Sequence, residues 1–456
     1  MYLEAGAVPA LLQQFTVAFE LSPQEQGLLG AVVYLAISLT SPWCAALFRR
    51  FSPRTLLGVS LAANNLAVLG LATVPVGKDG HHHKALLVGL RAAIGITQAF
   101  HCVYCPLWVH DYAPLAKRGA WMSYLQAAVP IGVTLGYFAG SVTLWAAPDG
   151  ATVCSGIACW RWPFLFQFAL VLPLSVALFL DDDTVEAIAA EETLEAEAFG
   201  FRRGTRSLSV DVMEVVDHVS TRFASLALLA RHRVYVFVVL ALSALFFVVT
   251  GVQFWTTLYL ETNTRDSLYE IHTAYLLVAG TGPILGVFFG GWLIDRCGGY
   301  AGAARQAQAL RVCLALGAVA CLAALPVSFF RYTAAIAAGL WLMLFCGAAI
   351  LPACSGIVIS AAPPALRPLA ASVAYTCYNL LGYAASNYIP GLIMDFIIDA
   401  SCDAACTYRI GFRIVLFWSV VAFCSLAAAT MASSRHVAAV QAKQGKASAL
   451  SPVTAA

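Results

Sequence analysis

The chain has 456 residues, of which 61% are hydrophobic and only 11% are charged, against about 25% charged residues in an ordinary soluble domain. This composition predicts an all-α membrane protein that crosses the bilayer many times. The formal net charge is only +2, and there is no glycine-rich phosphate loop, so nothing indicates binding of nucleic acid. We find no paired carboxylates, nucleophile motif or metal cluster, and we expect neither an enzyme, a cofactor nor a metal site.

Hydropathy predicts eleven membrane-spanning helices, since each stretch approaches the ~20 apolar residues that cross a bilayer. They lie near residues 27–48, 55–75, 85–109, 120–144, 163–180, 234–259, 272–294, 308–329, 332–358, 370–394 and 412–431. Residues 1–19 precede them and are apolar but short. We expect these residues to be the second half of a truncated first helix, which would make about twelve; a short interfacial helix is the alternative.

Lysine and arginine are concentrated in alternate loops, which predicts that both termini and the central segment face the cytosol. The central segment starts with eight acidic residues and no basic residue between Asp181 and Glu197, a pattern typical of a solvated linker. We therefore predict a transmembrane bundle, a cytosolic linker, a second bundle and a cytosolic tail, at residues 1–180, 181–233, 234–431 and 432–456.

The two halves of the chain share residues at a nearly constant offset, which indicates an internal repeat. Leu135, Gly136 and Tyr137 recur 246 positions later as Leu381, Gly382 and Tyr383. An offset of six helices keeps both halves in one orientation, as in the parallel repeat of major facilitator transporters. The repeat predicts two six-helix bundles that rock against each other around a substrate site.

Two cysteine pairs follow the same repeat, since Cys154 and Cys159 recur as Cys402 and Cys406. Both pairs fall in loops predicted to lie outside the cytosol, where disulfides persist. We predict a disulfide bond within each pair; free thiols are the alternative, because the intervening loops are tight.

Arg91 is the only charge in the span 85–109, and a charge in hydrocarbon normally faces a bundle interior and has a partner. The alternative is that Arg91 snorkels to the membrane edge, since it lies about two turns after Lys84. Gln98 lies two turns further along the same helix face. Glu4 is the other ionisable group set well inside a predicted span. We also expect the glycines at 132, 136 and 140 to form a close helix contact.

Motifs across nearly the whole chain resemble the Spinster-type lipid transporters of the major facilitator superfamily. The similar stretches are YLEAGAVPALL and LSPQEQGLLGAVVYLA, Arg91 and Gly95, Asp111, Pro114 and Arg118, IGVTLGYFAG, WRWPF at 160–164, GGWLIDRCGGY at 290–300, and NLLG with PGLIMD between Asn379 and Asp395. Family members usually have Asp-Arg where this chain has Glu4-Ala5, often have Glu in place of Gln98, and normally carry an acid near Arg49.

The resemblance implies secondary transport of lysophospholipids or sphingoid lipids, coupled to protons through carboxylates. We expect Glu4 to carry the proton and Arg91 to hold either Glu4 or an anionic head group. Gln98 is expected to bond the same substrate or, as an equal alternative, another helix of the bundle. Family position adds five cavity residues in the second half: Gln253, Trp255, Tyr375, Asn379 and Asn387. It assigns gating at cytosolic helix ends to Arg118, Asp295, Arg296 and Arg367.

The expected partners are a lipid or small-molecule substrate, the bilayer and protons, for a monomer in the plasma membrane or an acidic organelle. A carrier of a small organic anion or other polar solute is the first alternative. It would need more polar groups than Glu4, Arg91 and Gln98 supply. A transport-inactive membrane scaffold is the second alternative.

Overall fold

The computed structural model describes residues 1–48, 50–76, 80–112, 118–145, 153–154, 157–180, 226–300, 302–363, 366–398 and 402–449. Within these residues the chain is almost entirely helical, and ten helices are long and apolar enough to cross a membrane. The all-α membrane fold is therefore confirmed. The described part of the chain divides into two compact units. The first comprises Met1–Glu20 and Val32–Ala224, and the second comprises Leu21–Ala31 and Ser225–Ala456.

Seven helices and a short ribbon precede the central segment. They are α1 (Leu3–Ala10), α2 (Leu12–Phe19), α3 (Pro23–Leu47), α4 (Pro53–Thr73), α5 (Gly80–Tyr112), α6 (Arg118–Trp145), the antiparallel strands β1 (Val153–Cys154) and β2 (Ile157–Ala158), and α7 (Trp162–Leu180).

Seven more helices follow the central segment. They are α8 (Arg233–Asn263), α9 (Leu268–Arg296), α10 (Ala303–Val327), α11 (Thr333–Ser360), α12 (Arg367–Cys377), α13 (Ala385–Ile398) and α14 (Ala404–Ala449). The central residues 181–225, where we predict most of the linker, lie outside the described part of the chain.

The first two helices follow each other directly, with only Leu11 between them. Pro9 lies inside α1 and cannot donate a backbone hydrogen bond, but the amide of Leu11 still bonds the carbonyl of Ala7 at 3.1 Å. Glu20, in a left-handed conformation with φ 52°, ends α2. Seven of the eight residues of α1 are buried. This burial contradicts the alternative of an interfacial helix, which would keep one face at the membrane surface.

Helices α3 and α9 begin with the same capping arrangement. The hydroxyl of Ser22 accepts the amide of Glu25 at 3.3 Å, and the Glu25 carboxylate accepts the amide of Ser22 at 2.9 Å. Ser267 and Glu270 repeat both bonds at 3.3 and 2.9 Å. Such a reciprocal cap satisfies two amides at a helix start. Because the two caps lie 245 positions apart, they support the predicted internal repeat.

A glycine seam holds α6 against α1. A Cβ atom on Gly136 would overlap the carbonyl of Leu3, and one on Gly6 would overlap the carbonyl of Val133. Gly140 faces Ala7 and Ala10 of α1 as well, and Gly132 faces Tyr2, directly before α1. The predicted close contact of the 132, 136 and 140 stripe is confirmed. Only glycine allows two helix backbones to approach this closely.

The predicted span 370–394 is not one regular helix, because a π-helical segment, Tyr378–Ala384, separates α12 from α13. This segment contains Gly382, the repeat partner of Gly136, and a Cβ atom there would meet the side chain of Phe246 on α8 at 2.8 Å. A π-bulge widens the helix locally and is frequent at functional sites. The last helix, α14, also continues to Ala449, beyond the predicted span end at 431.

Candidate functional site

Glu4 and Arg91 form an ion pair in the interior of the first unit. The Oε2 atom of Glu4 on α1 accepts a hydrogen bond from the NH1 group of Arg91 on α5. Glu4 is 0% exposed and Arg91 is 3% exposed. The snorkelling interpretation of Arg91 is therefore wrong: its guanidinium group pairs with a buried carboxylate instead of reaching the membrane edge.

Gln98 completes this polar group from two turns along α5. Its Nε2 atom donates to Oε1 of Glu4 at 2.9 Å, so both carboxylate oxygens are bonded. The same amide lies 3.4 Å from the carbonyl oxygen of Met1. The structure thus brings together the three residues of the first half that we predicted from the sequence.

Gln167 on α7 is a fourth member that the sequence reasoning missed. Its Nε2 atom donates to the Met1 carbonyl oxygen at 3.3 Å, beside the bond from Gln98. Gln167 is 1% exposed, and its Oε1 atom is buried without a hydrogen-bond partner in the described part of the chain. An uncharged amide in an apolar helix leaves little trace in a hydropathy profile, so only its polarity within the span 163–180 could have marked it.

The packing of α1 and α5 fixes the geometry of the pair. The glycine seam presses α1 against α6, and a Cβ atom on Gly95 of α5 would overlap the carbonyl of Val33 on α3. Gly95 lies one turn after Arg91, so α5 is held close to α3 next to the ion pair. Breaking such a buried pair by removing one partner is expected to cost ~3–5 kcal/mol, because the other charge stays buried alone.

In the second unit, Trp255 bonds the backbone directly before Asn387. The indole Nε1 atom of Trp255 on α8 donates to the carbonyl oxygen of Ser386 at 3.3 Å, and Asn387 follows Ser386 directly on α13. Trp255 and Asn387 are each 2% exposed. A Cβ atom on Gly30 of α3 would come within 2.9 Å of the Asn387 Nδ2 atom.

The other three predicted residues of the second half are less closely grouped. The side-chain amide of Asn379, in the π-helical segment, donates to the carbonyl of Tyr375 one turn earlier at 3.0 Å. Asn379 is buried, whereas Tyr375 is 38% exposed, and Gln253 on α8 is half-buried. The predicted site residues therefore fall into one tight group in the first unit and a looser group in the second.

The predicted gating residues are only partly described. Asp295 and Arg296 end α9, and the guanidinium group of Arg296 lies 4.6 Å from the ring centroid of Trp292. Arg118 and Arg367 begin α6 and α12, but their side chains lie outside the described part of the structure.

One predicted disulfide bond, Cys402–Cys406, is present, and it is therefore confirmed. Cys159 is also disulfide-bonded, but the side chain of its predicted partner Cys154 lies outside the described atoms. The bond within the second pair shows that a tight loop of three intervening residues does not prevent closure.

A family model described as the Major Facilitator Superfamily matches residues 1–387. A probable sphingolipid transporter, spinster homolog 2 of Arabidopsis thaliana, is 23% identical over 410 residues, which are 89% of this chain and 77% of that protein. The mouse sphingosine-1-phosphate transporter SPNS2 is 24% identical over 415 residues, 88% of this chain and 69% of that protein. These relatives confirm the resemblance to Spinster-type proteins.

Solved structures share the fold. A bacterial homolog of the human lysosomal transporter Spinster, in an inward-facing and occupied conformation, gives a TM-score of 0.69 at 14% identity over 95% of this chain and 94% of that chain. A D-xylose–proton symporter gives 0.64 at 15% identity over 91% and 93%. At these identities the likeness establishes the arrangement of helices.

Proposed function

Since the chain belongs to the Major Facilitator Superfamily and is a multi-pass membrane transporter, we propose that it moves lipid-like amphiphiles by proton-coupled alternating access. The proposed substrates are lysophospholipids or sphingoid lipids. The buried group of Glu4, Arg91 and Gln98 is the observation that carries this proposal.

The charge balance of this group supports joint binding of a proton by Glu4 and of an anion by Arg91. Arginine stays charged in proteins, so the carboxylate of Glu4 is the member of the ion pair that can change its charge. When Glu4 takes up a proton, Arg91 is left as a buried cation without its counter-ion, which is unfavourable. An anionic head group restores the balance by bonding the guanidinium group. One proton would therefore enter the site with each anionic head group.

The neighbouring amides are suited to this joint binding. Gln98 donates to Glu4 and can donate equally to a phosphate or carboxylate oxygen that replaces Glu4. The Oε1 atom of Gln167, buried and without a partner in the described structure, is an acceptor for an amine or hydroxyl group. A head group with both an anion and a hydrogen-bond donor would satisfy all of these atoms.

The scarcity of charge in the membrane spans favours a lipid over a polar solute. A lipid leaves its chains in apolar surroundings and needs polar partners for its head group alone, whereas every polar atom of a buried solute must be satisfied. Relatives at 23–24% identity are named as sphingolipid and sphingosine-1-phosphate transporters, which supports the same substrate class.

A carrier of a small organic anion remains the second candidate. The fold is shared with a D-xylose–proton symporter, so this arrangement of helices also accommodates polar solutes. Arg91 would bind the anion in either case. The two candidates differ in which substrate competes for the site.

Uptake into vesicles that contain the protein separates the candidates. We expect a panel of labelled lysophospholipids and sphingoid lipids to enter in response to a pH gradient, and Arg91→Ala to abolish this uptake. The matched control is Arg161→Ala, which removes an arginine that bonds the carbonyl of Val74 at 2.8 Å, away from Glu4.

Retained lipid uptake in Arg91→Ala would contradict the proposed role of the site. Uptake of small organic anions without lipid uptake would favour the solute carrier. Uptake of neither by a folded sample would favour the inactive scaffold.

A further inference from the structure

A second pair of an acid and a base, a buried histidine and a partly buried glutamate, joins α8 to α9. The Nε2 atom of His272 lies 3.2 Å from Oε1 of Glu261, and the two side chains are 0% and 11% exposed. Glu261 lies in the last turn of α8, and His272 lies in the second turn of α9. The proposed uptake of a proton by Glu4 does not use this pair.

The chemistry of the pair differs from that of an arginine pair because imidazole gains and loses a proton near neutral pH. With Glu261 ionised and His272 protonated, the two charges cancel. Loss of the proton from His272 leaves one negative charge in poorly hydrated surroundings, which is unfavourable. The pair is therefore neutral when it holds one proton, and this is its favourable state.

We propose that Glu261 and His272 form a second proton-binding site, which responds to the pH of the compartment outside the cytosol. The site belongs to the second unit alone. Glu261 and His272 contact each other across the connection between α8 and α9. A change in their protonation therefore acts directly on the contact between these two helices.

The pair lies at the same end of the second unit as a disulfide bond. Two residues after Glu261, the Oδ1 atom of Asn263 accepts a hydrogen bond from Nε of Arg409 at 3.0 Å. Arg409 lies in the first turns of α14, three residues after the Cys402–Cys406 bond. Disulfides persist in oxidising compartments, and the distribution of basic residues also predicts that this end faces away from the cytosol.

Among the described residues, the other charged and titratable groups on the surrounding elements have bonds of their own, are exposed or, in the case of Tyr275, are buried. Asp266 accepts the amide of Thr333 at 3.2 Å, Glu270 caps α9, Arg413 donates to the Ser328 hydroxyl at 3.2 Å, Tyr259 donates to the Ser328 carbonyl at 3.4 Å, Tyr275 is buried on α9, and Arg265 and Arg331 are exposed. Arginines keep their charge and tyrosines titrate near pH 10. Among the described residues around the pair, His272 is thus the base of a type that ordinarily changes its charge near neutral pH.

Histidine-selective NMR of the full chain in lipid nanodiscs tests this site without any substrate. We expect one imidazole signal to respond to a change of pH over a range around neutrality, to be absent in His272→Gln and to remain in the control His436→Gln, whose histidine is exposed. Glu261→Gln is expected to change the midpoint of this response, because the facing carboxylate has lost its charge.

A His272 signal that stays constant over this range would overturn the proposal, and so would a midpoint that is the same in Glu261→Gln. If His272→Gln does not fold, the parent chain and Glu261→Gln still decide the question. In that case one of the nine histidines is expected to change its titration and the others to keep theirs. Because no transport is measured, failure here is separate from failure of the proposed function.

Discussion

In the described part of each unit a glutamate lies beside a base, but the bases differ. In the first unit the partner of Glu4 is Arg91, and in the second unit the partner of Glu261 is His272. Arginine cannot lose its proton, so only the carboxyl group of the first pair can change charge. In the second pair the imidazole can do so as well. The two pairs thus allow two kinds of response to pH, and the identity of the base decides which one a pair gives.

The pairs also differ in how the helices hold them. Glu4 lies on a short helix that is pressed into place by the glycine seam, and Gln98 bonds its second oxygen. Glu261 and His272 lie at two helix ends joined by a short connection that starts α9 with the Ser267 cap. We expect the first pair to depend on helix packing and the second on the state of the connection.

The largest difference between the pairs is expected when the base is removed. Arg91→Met leaves the Glu4 carboxylate buried alone, and we expect a loss of ~3–5 kcal/mol in the free energy of unfolding. His272→Gln keeps a hydrogen-bond donor beside Glu261 and should cost about 1–3 kcal/mol. Unfolding of both variants in the same detergent measures the difference.

The control for this comparison is the double variant Glu4→Gln/Arg91→Met, which removes both charges and should recover part of the loss. If His272→Gln were as damaging as Arg91→Met, the distinction between the pairs would be wrong.

Displacing α1 should break the first pair and spare the second. A larger side chain in Gly136→Val would overlap the Leu3 carbonyl, and overpacking of this kind costs about 1–3 kcal/mol. We expect lipid uptake to fall in this variant while the titration of His272 stays unchanged.

Gly89→Ala is the matched control for the seam, since no atom lies within 4 Å of a Cβ atom there. Its stability should change by less than about 1 kcal/mol. Equal losses in Gly136→Val and Gly89→Ala would show that the seam does not position Glu4.

Removal of the Cys402–Cys406 bond tests the end of the second unit that holds His272. The closed loop is short, so Cys402→Ser is expected to lower the free energy of unfolding by about 2 kcal/mol or less. Thermal unfolding with and without a reductant measures this effect, and Cys424→Ser, at an exposed free cysteine, should have none. A reductant that changes the parent chain and Cys402→Ser equally would contradict the assignment.

The two amides of the first site are expected to differ in their effect on stability. Gln98→Leu removes a bond to a charged carboxylate, worth about 1.5–3 kcal/mol, whereas Gln167→Leu removes a bond to a carbonyl, worth about 0.5–1.5 kcal/mol. Thermal unfolding of the two variants gives the order. A larger loss in Gln167→Leu would contradict this order, because the bond from Gln167 to the Met1 carbonyl would then contribute more to stability than the bond from Gln98 to Glu4.

Much of the fold follows from the sequence because a bilayer leaves few choices. Every backbone group within hydrocarbon must be bonded internally, so apolar stretches of sufficient length become helices, and the repeated residues give the two halves. The π-helical segment, in which Gly382 packs against α8, was not predicted, since its wider turn leaves no distinct hydropathy pattern.

The site was predictable where it contains a charge. Arg91 and Glu4 stand out in apolar spans, and helical spacing adds Gln98 to Arg91. Gln167 carries no charge and was missed. Glu261 and His272 were missed because they lie near the ends of their spans, where polar residues are common and burial depends on how α8 and α9 pack.

Proton movement that accompanies lipid entry tests the central claim most directly. With a pH-sensitive dye inside vesicles that contain the protein, addition of an anionic lysophospholipid should acidify the lumen, with about one proton entering per lipid, as the charge balance at Arg91 requires. Glu4→Gln should abolish this acidification, while His272→Gln should retain proton entry with each lipid. Acidification of equal size in Glu4→Gln and the parent chain would contradict the assignment of Glu4 as the proton carrier.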